Sequence, residues 1–174
     1  MLEEGFMRFQ EDQKGFTLVE LVIVTAIVAI MAALSLTMLG RIKFANTEKM
    51  VTNISDALSK AQILAMSKET PRYLHIFKIG NDYYVEINES TSLPTSGNNA
   101  TALGSQITIS KVVGVGGTET EITSGTQVVI SFKKDGTLRS GGTLEDIRKI
   151  VVKGSYEAEI RINPKTGKHV TEKR

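Results

Sequence analysis

An α+β fold is predicted for these 174 residues by three features. They are a near-continuous apolar run at residues 16–39, apolar residues spaced by threes and fours over 44–65, and period-two alternation after Pro71. Together they describe a long N-terminal helix, transmembrane in its first half and amphipathic in its second, packed on an antiparallel β-sheet head. The chain divides accordingly into residues 1–15, a membrane span at 16–39, an amphipathic continuation at 40–70 and a β-rich head at 71–174.

The span comes first. Between Leu21 and Leu39 only Thr25, Ser35 and Thr37 are polar, and each hydroxyl can bond back to a helix carbonyl. At about 1.5 Å per residue the run from Phe16 crosses a hydrocarbon core of about 30 Å. A secretory signal has an apolar region of only about 7–15 residues, which is shorter than this one. One residue does not belong: Glu20 lies inside the run, where a carboxylate costs about 2.5–3.5 kcal/mol at a helix centre. Arg41 and Lys43 mark the far interface. Basic residues on both sides leave orientation open, and the positive-inside rule leans toward an inward C-terminal part.

The helical period continues beyond the interface. Phe44, Thr47, Val51, Ile54, Leu58, Ala61 and Ala65 form one stripe, thickened by Ala57 and Leu64, with Asn53, Ser55, Lys60 and Gln62 beside it. Pro71 disfavours helix at Thr70, so the end is expected near Glu69. If unbroken, Phe16 to Glu69 makes a rod of about 80 Å at 1.5 Å per residue. The stripe spans about three heptads, which favours packing on the chain's own sheet over a coiled-coil partner.

Strands follow. "RYLHIFKI" and "YYVEINE" flank a turn at Gly80-Asn81-Asp82 and read as a hairpin. Residues 90–105 are small, polar and breaker-rich, so an exposed loop is expected. "QITISKVV", "QVVISF" and the two halves of "IRKIVVKGSYEAEIRIN" are further strands, with tight turns at Asp135-Gly136 and around Gly154. In the last strand Tyr156, Ala158, Ile160 and Ile162 share a face.

Composition narrows the function. There is no cysteine, which excludes disulfides, thiolate metal sites and cysteine nucleophiles. A net charge of +2 does not by itself imply a polyanionic partner. His75 and His169 lie far apart, "GVGG" lacks the lysine and hydroxyl of a phosphate loop, and the carboxylates show no pairing, so neither catalytic residues nor a cofactor is expected. The tail is basic: Lys165, Lys168, Lys173 and Arg174 face one acid, Glu172. It reads as a solvated end or, more sharply, as a contact for the phosphates of DNA.

Lys14-Gly15-Phe16-Thr17-Leu18-Val19-Glu20-Leu21, leading directly into the apolar run, resembles the processing site of type IV prepilins and type II secretion pseudopilins. The resemblance implies a pilin fold with residues 1–15 as a leader. A prepilin peptidase would cut between Gly15 and Phe16 and methylate the new Phe16 amine. The mature chain would sit in the cytoplasmic membrane, its helix in lipid and its head outside. An inner-membrane assembly platform would then draw it among other pilin or pseudopilin subunits into an extracellular or periplasmic filament. Glu20 would be the charge that pairs with a neighbouring subunit's amine. Loss of the leader takes the net charge from +2 to +4. "ISFKKDGTLRSGG" and "IRINPKTGKHV" resemble the closing pattern of minor subunits of the GspH/FimT type, some of which would serve DNA uptake. The lack of a C-terminal cysteine pair also points away from a Gram-negative major pilin.

Overall fold

The structure is a computed structural model that describes residues 16–174, and of residues 34–42 the backbone alone. The leader assigned to residues 1–15, Gly15 included, lies outside the described residues, as do the side chains of Ser35, Thr37 and Arg41. One helix, α1, runs Leu18–Ser67, and the chain divides into two compact units, 1–39 and 40–174. The helix begins two residues later than the rod reading allowed and ends two earlier.

In the first unit every side chain from Phe16 to Ala33 is exposed. The apolar ones cover all faces of the helix, with Leu18, Val22, Ile27 and Ile30 each more than half exposed. Thr25 Oγ1 donates to the Val22 carbonyl at 3.0 Å, so that hydroxyl is satisfied within the helix as expected. Among the described residues no helix is long and apolar enough to cross a membrane. The described apolar stretch, Leu18 to Ala33, is about 24 Å long at 1.5 Å per residue.

The second unit wraps two antiparallel sheets around the other half of α1. Ten strands are present: β1 Tyr73–Ile79, β2 Asp82–Asn88, β3 Thr101–Gly104, β4 Thr108–Val113, β5 Glu119–Glu121, β6 Gln127–Phe132, β7 Leu138–Arg139, β8 Ile147–Lys153, β9 Glu157–Ile162 and β10 His169–Lys173. They form sheet A, β3-β2-β1-β6-β7, and sheet B, β10-β9-β8-β4-β5. Val51, Ile54, Leu58, Ala61 and Ala65 of the foreseen stripe are buried, joined by Met50. They meet Leu74, Ile76, Val85 and Ile130 of sheet A and Ile109, Ile150, Val152, Ala158 and Ile160 of sheet B in one core. Phe44 departs from the stripe. It is 45% exposed and tilts against Tyr156, with ring centroids 5.1 Å apart.

The helix is keyed to the strands by polar contacts. Thr47 is fully buried; its Oγ1 donates to the Lys43 carbonyl at 2.9 Å and accepts from Ser155 N–H at 3.1 Å. Gly154 passes so close that a Cβ there would collide with Thr47 Oγ1. Further along, Gln62 Nε2 donates to the carbonyls of Gly136 (2.8 Å) and Thr166 (3.2 Å), clasping two turns at once. Gly167 sits beneath that clasp at φ +67°, where a Cβ would strike the Gly136 carbonyl.

Residues 90–100 are a largely exposed loop, as expected, but they also roof the outer face of sheet A. His75 is fully buried there. Its Nε2 donates to the Ser90 carbonyl at 2.7 Å and its Nδ1 lies 2.8 Å from Gln127 Oε1. The end of the expected loop, residues 101–104, is instead β3, which buries Leu103.

Candidate processing and assembly site

The site begins at a helix N-terminus. Thr17 lies just outside α1, and its carbonyl accepts the first helical bond from Leu21 N–H at 3.1 Å. Its Oγ1 accepts from Glu20 N–H at 3.2 Å, so Thr17 is an N-cap and Glu20 stands at the third helical position. Thr-x-x-Glu before an apolar run is a capping-box pattern. The local sequence thus sets where the helix starts, a role that reading Glu20 as a lone membrane charge missed. "FTLVEL" carried that signal throughout.

Only half of the box is formed. The Glu20 carboxylate makes no hydrogen bond or ion pair among the described residues, and the side chain is exposed. A carboxylate in the first turn is favoured by the unsatisfied N–H groups there, by about 0.3–1 kcal/mol. Phe16, 81% exposed, precedes the cap by one residue and stands four before Glu20. The geometry therefore presents an uncommitted acid within about one turn of the Phe16 backbone nitrogen, on a helix whose neighbouring side chains are apolar and exposed.

The four basic tail residues do not form one cluster. The tail is an ordered edge strand, β10, paired with β9 from His169↔Ile162 to Lys173↔Ala158. Lys173 Nζ is 3.1 Å from Glu48 Oε1 and lies over the rings of Phe44 and Tyr156 at 5.5 and 5.2 Å. Its hydrogen bond to Glu48 raises its pKa. Arg174 Nε is 3.2 Å from Glu159 Oε1. That glutamate is buried beneath Lys149 at 2.9 Å and Arg161 at 3.0 Å, and their hydrogen bonds, Lys149 first, hold its carboxyl below the ordinary range. Lys165 and Lys168 carry no ion pair among the described residues. They line a surface groove of about 690 Å³ with Arg148 and Arg161, and with Glu172 on its rim.

Nothing else gathers reactive groups. Among the described residues no three His, Asp or Glu side chains are placed to hold a metal ion. His169 Nε2 lies 2.9 Å from Ser55 Oγ, which ties β10 to α1, and burial lowers its pKa.

No curated protein and no solved structure matches the chain. Residues 12–36 match a family model described as the prokaryotic N-terminal methylation motif. The match takes in Lys14 to Glu20, the Thr17 cap and the exposed apolar turns that follow. The chain carries, at the start of its helix, the signature of type IV prepilins.

Proposed function

We propose that this chain is a minor pilin or pseudopilin, cut after Gly15, methylated on Phe16 and assembled through its N-terminal helix. The observation that carries the reading is the methylation motif at residues 12–36, set on a helix that exposes apolar side chains on every face. A helix apolar all round needs either lipid or other helices around it. Before assembly the segment 16–39 spans the cytoplasmic membrane, with the head outside; afterwards neighbouring subunits replace the lipid.

Glu20 gives the exchange a direction. Its carboxylate is costly in hydrocarbon, and so is the amine that cleavage creates on Phe16. Pairing the two between subunits lowers both costs. The Thr17 cap supports this role because it satisfies the Glu20 backbone N–H and leaves the carboxylate available. Closure of the head by the turns at Asp135-Gly136 and Gly167 on Gln62, without any cysteine, supports a minor subunit of the GspH/FimT kind.

Intact-mass measurement of the chain from its native host tests the proposal. Loss of residues 1–15 with gain of one methyl is expected; a full-length, unmethylated chain overturns it. Gly15→Leu blocks the cut. Glu20→Ala leaves the cut intact but lowers incorporation into filaments, and normal incorporation refutes the docking role.

The groove beside Lys165 and Lys168 favours a second reading, a filament-borne DNA contact used in uptake. The partnered state of Lys173 and Arg174 confines it to the turn. Lys165→Glu with Lys168→Glu then weakens DNA binding and flattens its salt dependence. An unchanged gel shift dismisses this reading.

A further inference from the structure

The two open edges of sheet B differ in charge. Residues 114–126, which contain β5, hold Glu119 and Glu121 and no lysine or arginine. Residues 164–174, which contain β10, hold Lys165, Lys168, Lys173 and Arg174 against Glu172. Glu121, Lys165 and Lys168 have no ion-pair partner among the described residues. Each edge also exposes a valine: Val115 is 91% exposed beside β5, and Val170 is 60% exposed in the middle of β10.

Both edges present backbone groups. Asn163 N–H donates to the Lys168 carbonyl and Arg174 N–H to that of Glu157, each at 2.8 Å, at the two ends of the β9–β10 ladder. Antiparallel ladders alternate, so 168, 170, 172 and 174 bond inward, while His169, Thr171 and Lys173 turn their N–H and C=O groups outward. On the other side Ile122 N–H donates to the Ile109 carbonyl at 2.8 Å. Thr120 therefore bonds toward β4, and Glu119 and Glu121 face out.

Strand direction makes the two edges compatible. All four pairings in sheet B are antiparallel, so in five strands the first and last run the same way. A second copy in the same orientation brings its β5 alongside β10 as a parallel neighbour. The parallel ladder seats an outward residue of β10 between the Glu119 and Glu121 backbones of that copy. Thr120 and Thr171 then share a face.

We propose that sheet B docks head-to-tail on a second copy of this chain, the acidic β5 edge of one copy lying against the basic β10 edge of the next. The inference rests on the filament reading, because an added pair of so few residues is weak alone. It acts only among subunits already held at high effective concentration. Like charges oppose both self-pairings, β5 on β5 and β10 on β10, which leaves the unlike edges to join. A heterologous contact of this kind does not close on itself and so propagates. With about 20–25° of twist per strand, each five-stranded sheet turns the next copy by roughly 100–125°.

The chain's lack of cysteine gives a clean background for the test. Full-length Thr120→Cys/Thr171→Cys is expressed in the native host and treated with a short bismaleimide, and filament and membrane fractions are run on denaturing gels. A ladder of dimer, trimer and higher species in the double variant, with neither single variant cross-linking, upholds the contact. Glu121→Lys in that background reduces the ladder by about two- to fivefold; an unchanged ladder overturns edge docking. Processed chain found in filaments without any ladder overturns this inference and leaves the filament reading standing. A dimer from Thr171→Cys alone overturns it in favour of a two-fold contact. A ladder in membranes with no filament incorporation upholds the contact and counts against the filament reading.

Discussion

The two halves of α1 answer the same question in opposite ways. From Leu18 to Ala33 apolar side chains stand on every face and all are exposed. From Lys43 to Ser67 the apolar residues keep to one stripe, and Met50, Ile54 and Leu58 are completely buried. The second half finds its partner within the chain; the first has a surface that only lipid or other helices satisfy. A single helix thus joins a part whose stability is intramolecular to a part whose stability comes from its surroundings.

That contrast can be broken by substitution. The largest effect is expected from Leu58→Ala, which removes a fully buried side chain and costs the head about 2–5 kcal/mol. Ile27→Ala in the first half leaves the head's thermal midpoint unchanged and acts on filament incorporation instead. Equal losses of head stability from both variants would abolish the distinction. Next is Glu159→Ala, which strips Lys149, Arg161 and Arg174 of their shared acid. Those partners keep some access to water, so the cost is about 1–3 kcal/mol, below the loss for a fully buried pair. Denaturant unfolding checks it.

Smaller effects sharpen the comparison. Thr17→Ala removes the cap and loosens the first turn by about 1 kcal/mol. Amide exchange at Glu20 should accelerate while exchange at Ile54 does not. The smallest effect concerns acid. Burial holds the His169 imidazole below the usual 6.5, so the unfolded chain takes up a proton there before the folded one does. The stability this contributes is complete above 6.5 and is lost as pH falls from there toward the folded value. Glu159, held below 4.5, adds stability that is present above 4.5 and is lost as pH falls through its lower folded value. Thermal midpoints should therefore drop in two steps on acidification. His169→Phe should remove the upper step and Glu159→Gln the lower.

Period explains what the sequence made legible. Val51, Ile54, Leu58, Ala61 and Ala65 stood out because one stripe faces one core, and the hairpin at Gly80 because its strands alternate. Strand β10 was hidden. Its segment "HVTEK" is an edge whose one face meets the helix through Ser55 and Glu48 and whose other carries charge, so no apolar alternation marks it. Strand β7, only Leu138–Arg139, is too short to show a period. Two sheets replaced the one foreseen, because pairing across the chain leaves no local trace. Glu159 was placed on the outer face correctly, but its burial depends on cations from neighbouring strands that alternation cannot bring together. At the candidate site Phe16 and Glu20 were legible from their spacing. The Thr17 cap was equally visible in "FTLVEL", yet the cost of the acid drew attention away from the hydroxyl.

The grip of Gln62 on the turns at Gly136 and Thr166 has a temporal side. Those bonds join residues 74 and 104 positions apart, so the amide cannot meet its acceptors until nearly the whole head has been synthesised. Contacts of such sequence separation slow folding, because chain entropy is lost before the bonds repay it. The helix that leads the chain therefore has its last polar anchor fastened by the residues that end it.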